Sequence, residues 1–203
     1  MRKTGIPLLT ILLIMALIIG CTSQSSSSSK SVPTTPTAPP FENQPITESS
    51  VRQGLQTMNL SMFFITYEFQ DPEDYKNILE VEVKDDPTSP NDRKNVRIRY
   101  YCDNIWDTRH FVSMATRTDV AIMYNLFKNP KLNKLTLESA TEFTDKYGNS
   151  KTENGLTVTF NRATAEKINY ENFKDMVSAD NMALFRVADS YDIHPGILTE
   201  LKS

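Results

Sequence analysis

The chain has 203 residues, a formal charge of −3 and 39% hydrophobic residues, which allows one or two domains. Mild acidity argues against a general nucleic-acid binder, which needs clustered Lys and Arg to displace phosphate counterions. Two cysteines and two histidines exclude a disulfide-stapled miniprotein and a multi-ligand zinc module. The four glycines of residues 51–203 are dispersed, so no phosphate-cradling loop is visible and no cofactor is expected.

The N-terminus carries the sharpest signal. Met1-Arg2-Lys3 is a short basic start, and residues 5–19 are almost wholly apolar. That pattern is a secretory signal, and its length falls short of the roughly 20 residues a stable span requires. Ile18-Ile19-Gly20-Cys21 follows and resembles the lipobox of prokaryotic lipoproteins. The resemblance implies a diacylglyceryl group on the Cys21 sulfur, cleavage between Gly20 and Cys21, and acylation of the new N-terminus by a fatty acid such as palmitate. Two or more acyl chains anchor a protein stably, whereas one does so only marginally. The expected location is the outer face of the cell membrane, or the outer membrane where the source has two, because Thr22 does not look like an inner-membrane retention residue. An uncleaved signal anchor and an ordinary secreted protein are the alternatives.

Residues 21–50 read as a tether. Ser, Thr and Pro supply 19 of residues 22–50, including an unbroken run from Ser25 to Ser29. Such a segment buries too little apolar surface to offset chain entropy and is expected to be disordered. Residues 51–203 are the size of one domain and hold 18 aromatic residues, enough for a core.

In chain order, Ser49-Ser50 caps a short helix leading into the aromatic, β-branched run Met62–Phe69, where helix and strand are hard to separate. Asp71-Pro72-Glu73-Asp74 breaks that run. Ile78–Lys84 and Val96–Tyr101 alternate as strands flanking a loop, and Glu80 and Glu82 are expected to face Arg97 and Arg99 across an antiparallel pair. Asp103, Asn104 or Asp107 caps a long helix over 105–128, with Phe111, Ala115, Thr118, Ile122 and Leu126 on its apolar face. Residues 135–160 predict a hairpin turning at Asp145–Asn149. Short helical pieces follow over 164–168, 170–177 and 181–191, with a last turn after Pro195. The expected fold is α+β: an antiparallel sheet with one long helix packed on it and short C-terminal helices.

Candidate chemistry is sparse. Cys102 and His110 are the only thiol–imidazole pair in the body, and a Cys–His enzyme needs a base beside its thiolate. A lone Cys is more often a buried small hydrophobe. Asp85, Asp86 and Asp92 offer hard oxygen ligands in one loop, yet their spacing matches no EF-hand and a solvated acidic loop is the plainer reading. His194-Pro195 after Tyr191-Asp192 offers an Asp–His pair or, more simply, a turn. Trp106 with Tyr100 and Tyr101 offers a stacking platform for a sugar or another flat ligand, or else core packing. Asn59-Leu60-Ser61 fits the N-glycosylation pattern, which matters only in a glycosylating host.

The expectation is therefore a lipid-anchored, non-catalytic module that binds an envelope protein or component, with the 135–160 hairpin as its contact element and the membrane reached through Cys21. The rival is a small-ligand-binding or hydrolytic domain with a pocket near Tyr101, Trp106 and His110.

Overall fold

Two apolar periods, one of two residues and one of three to four, meet in a sheet with a helix laid across it. The computed structural model describes residues 40–58, 78–88, 92–102 and 105–201. The signal segment with Gly20 and Cys21, most of the tether, the run Met62–Phe69 with the break after it, and the Asn59 sequon lie outside the described residues.

Five strands stand in sequence order: β1 (Ile78–Asp85), β2 (Lys94–Tyr101), β3 (Leu132–Thr144), β4 (Ser150–Asn161) and β5 (Ser190–Ile193). Among them run α1 (Glu48–Gln56), α2 (Thr108–Leu126), α3 (Arg162–Ala165), α4 (Tyr170–Ala179), α5 (Met182–Val187) and α6 (Pro195–Leu201). The α+β class holds. One strand pair departs from the expected antiparallel sheet, because β2 and β3 run parallel, whereas the other three pairs are antiparallel. The cause is α2. Its 19 residues span about 28 Å, long enough to return the chain to the end of the sheet where β2 began.

The core lies between α2 and one face of the sheet. Phe111, Ala115, Thr118, Ile122 and Leu126 are all buried, as the helical spacing predicts. They share that core with Val96, Ile98 and Tyr100 of β2, Leu135 and Leu137 of β3, and Leu156, Val158 and Phe160 of β4. The intervening strand residues carry the opposite, polar face. There Arg97 bonds Glu80, Glu82 and Glu138, and Arg99 donates to Asn154 Oδ1 at 2.6 Å. The expected cross-strand charge pairing is thus present, with Arg97 rather than Arg99 taking both glutamates of β1.

The tether ends earlier than its composition implies. Residues 41–50, expected to be disordered, fold onto the domain: Ile46 joins the core, and Asn129 Nδ2 donates to the carbonyls of Phe41 and Gln44 at 2.8 and 2.9 Å. Thr47, not Ser49 or Ser50, caps α1. Its hydroxyl accepts from the Ser50 amide at 3.1 Å, and Ser50 Oγ accepts from the Thr47 amide at 3.0 Å. A composition averaged over thirty residues hides a single buried isoleucine. A second correction falls at Ser190–Ile193. Ser190 and Tyr191, expected at the end of a helix over 181–191, instead open β5, which pairs with Leu156–Thr159 of β4. Four residues are too few for a period of two to show.

Candidate functional site

The β3–β4 hairpin outruns its neighbours. Pairing with β2 ends at Ala140, and pairing with β5 ends at Leu156. Beyond these points β3 and β4 form ladder pairs only with each other among the described residues; Cys102 and His194 donate to the carbonyls of Ala140 and Gly155, and the Arg99 guanidinium to Asn154 Oδ1 and the Thr152 carbonyl. A two-stranded arm therefore projects past the sheet. Its turn is held by Asp145, whose carboxylate accepts from the Tyr147 and Asn149 amides at 2.8 and 2.9 Å, with Gly148 at φ 85°. The Asn149 side chain and these amides hold the Asp145 carboxyl below its ordinary range. Tyr147 is 78% exposed at the tip.

One face of this arm bounds a cleft of about 890 Å³. Thr141, Phe143, Lys151 and Glu153 form the arm's side, because 141 pairs with 153 and 143 with 151, and residues two apart share a face. Ile105 to Thr108, leading into α2, form a second side, and His194 to Glu200 around α6 form a third. The hydroxyl of Thr108 donates to the Glu200 carboxylate and ties the last two together. Phe111 and Ile197 lie at the base. They approach β4 closely because position 155 is glycine, where a Cβ would sit 2.4 Å from the Phe111 ring and 2.9 Å from Ile197.

Trp106 stands at the rim, 75% exposed. Its orientation is set from beneath: the indole lies on the His110 ring, centroids 3.3 Å apart and planes within 10°. His110 in turn sits at the start of α2, where the Asp107 carboxylate accepts from its amide at 2.7 Å. Of the three expected caps, Asp107 is the one used; Asp103 and Asn104 lie outside the described residues.

His194 is the cleft's imidazole. Its Nε2 lies 3.2 Å from Glu153, its Nδ1 accepts from the Gly196 amide at 3.2 Å, and its ring packs on Phe143 with centroids 4.1 Å apart. These contacts fit the neutral tautomer protonated at Nε2. Hydrogen bonds from Lys151 first, and from His194 next, hold the Glu153 carboxyl below its ordinary range. Both ring nitrogens are thus engaged by the protein, which positions the ring rather than freeing it as a base.

The residues singled out from sequence fall in different places. Cys102 is 1% exposed and belongs to the core, and neither it nor His110 lines the cleft. Tyr100 is fully buried and Tyr101 half-buried, which leaves Trp106 as the platform's exposed member. Asp85 pairs with Lys94, and Asp92 lies 4.0 Å from the same ammonium. Asp86 accepts from Thr88 and from Asn133 Nδ2. Their oxygens serve the turn and the adjoining strands, and no His, Cys, Asp and Glu grouping fit for a metal occurs among the described residues. Sequence reasoning paired His194 with Asp192; the structure pairs it with Glu153, some forty residues away. Only the pairing of β5 with β4 brings those two together.

No helix among the described residues is long and apolar enough to cross a membrane. No family model matches the chain, and no curated protein or solved structure shows significant similarity to it.

Proposed function

We propose that the chain is an envelope lipoprotein, anchored through acylated Cys21, whose α+β domain is a non-catalytic binding module. The projecting β3–β4 arm and the cleft along it are the contact surface. The observation that carries this reading is the arm itself. Past Ala140 and Gly155 its outer backbone edges face no strand among the described residues, and free strand edges are where a partner's extended chain adds to a sheet. Exposed Tyr147 and Trp106 supply the kind of aromatic anchor that dominates binding energy at interfaces. The engaged nitrogens of His194 and the sealed thiol of Cys102 favour binding over acid–base or nucleophilic work.

The test is crosslinking of the anchored chain in its native cells, followed by mass spectrometry. A reproducible partner should be captured by the wild type and lost when residues 145–150 are replaced by a minimal turn. Unchanged capture after that replacement would remove the arm from the interface.

A further inference from the structure

Carboxylates outnumber cationic groups in the cleft's lining. Asp107, Asp145, Glu153 and Glu200 line it with their carboxylates, Glu142 standing on the arm's opposite face, and Lys151 is the only Lys or Arg among the described lining residues. Lys151 is itself spent on Glu153, at 2.8 Å. A concave surface lined by one sign concentrates its field and draws the opposite charge. Beside these acids stands an indole whose position is already set by the His110 ring, leaving its other face to solvent. A fixed aromatic face in an acidic surround suits a planar cation, which gains from the ring quadrupole and the carboxylates at once. The third element is the edge of Thr141–Thr144, which meets no strand other than β4 among the described residues, borders the same cleft and offers backbone groups to an extended chain.

We propose that the cleft takes an arginine-rich segment of a partner protein, its backbone along the β3 edge and a guanidinium stacked on Trp106. This rests on the binding-module reading above and adds the chemistry of the partner.

Trp106 is the only tryptophan of the chain, so its emission reports the site directly. The full-length lipidated protein, held in phosphatidylcholine vesicles that carry no net charge, is titrated with fluorescein-labelled nona-arginine. Tryptophan emission and label anisotropy are followed together. The expected result is a saturable change in both and at least tenfold weaker binding in 500 mM than in 50 mM NaCl. Trp106→Ala should weaken the anisotropy change at least tenfold, and Glu200→Gln should weaken it several-fold. Trp106 is exposed, so its replacement leaves the fold intact, and a thermal melt checks this. Binding that ignores salt, or that survives Trp106→Ala undiminished, overturns the proposal. Saturable quenching by a neutral chitooligosaccharide and not by nona-arginine overturns it too, while leaving a ligand-binding cleft in place. Silence toward both, with arm-dependent crosslinking intact, overturns the cationic occupant alone. Silence toward both with no arm-dependent capture overturns the binding module as well.

Discussion

The carboxyl of Asp119 meets the hydroxyl of Tyr100 at 2.8 Å in the interior of the protein, where neither side chain is exposed to water. Ser139 Oγ donates to the same hydroxyl at 2.7 Å, and Asp119 Oδ2 has no hydrogen-bond partner among the described residues. Burial pushes the Asp119 carboxyl up to about 8, against a smaller opposing effect of the Tyr100 hydrogen bond. The folded protein therefore carries a neutral Asp119 at pH 7.

A pH dependence follows from that shift. An unfolded chain ionises this carboxyl near 3.8, whereas the folded chain keeps its proton to about 8. Below the lower value both states are protonated and the stabilisation is fully present. Between the two, unfolding releases a proton, so stability falls as pH rises, by up to about 1.4 kcal/mol per pH unit. Urea melts at pH 5 and pH 7.5 should show the fall in the wild type and a shallower one in Asp119→Asn. Equal slopes would show that Asp119 is not the group responsible.

At position 155 the absence of a side chain is a packing requirement. Gly155→Ala would press a methyl into the Phe111 ring and Ile197, which must then move. Overpacking of this kind costs about 1–3 kcal/mol. Thermal melts should show a lower Tm, and because both displaced residues lie at the base of the cleft, nona-arginine binding should weaken along with it.

Arg162 holds the far end of α2. Its guanidinium is buried and donates to the carbonyls of Leu132 at 2.6 Å and Phe127 at 3.3 Å, and to that of Asn129. A planar fork reaches three carbonyls at once, and an ammonium does not. Arg162→Lys should cost about 1–3 kcal/mol through the carbonyls left unsatisfied. Denaturant titration reads this directly, and a change below about 0.5 kcal/mol would place Arg162 among ordinary surface positions.

The anchor is testable independently of the domain. Replacing Cys21 by Ser should abolish incorporation of labelled fatty acid and cleavage after Gly20, so that the uncleaved precursor accumulates with its apolar segment 5–19 still attached. A wild-type chain that is membrane-bound yet neither acylated nor cleaved after Gly20 would identify an uncleaved signal anchor instead.

Much of the fold was legible because its signals are periodic. The face of α2 from Phe111 to Leu126, the alternation of Val96–Tyr101 and the turn at Asp145–Asn149 each repeat a physical requirement several times along the chain. What the residues did not reveal is relational. The parallel pairing of β2 with β3 depends on where α2 returns the chain, and strand alternation reads the same in either direction. β5 exists because β4 offers it an edge, and Ile46 is core because Asn129 holds the turn before it. Of the cleft, Trp106 and His194 were singled out by the sequence, His194 with the wrong partner. Glu153 and Glu200 were not, because they reach the cleft only through the pairing of β5 with β4 and the docking of α6.

The arm that outruns its sheet has a cost as well as a use. Edges that meet no further strand among the described residues are as open to a second copy of the same ribbon as to any partner. Charged residues stand along this stretch, Glu142 on one strand and Lys151 and Glu153 on the other, with Asp145 and Lys146 at the turn. Edge charges of this kind discourage strands from stacking into aggregates. Copies of the domain can thus stand close together and still keep these edges from one another.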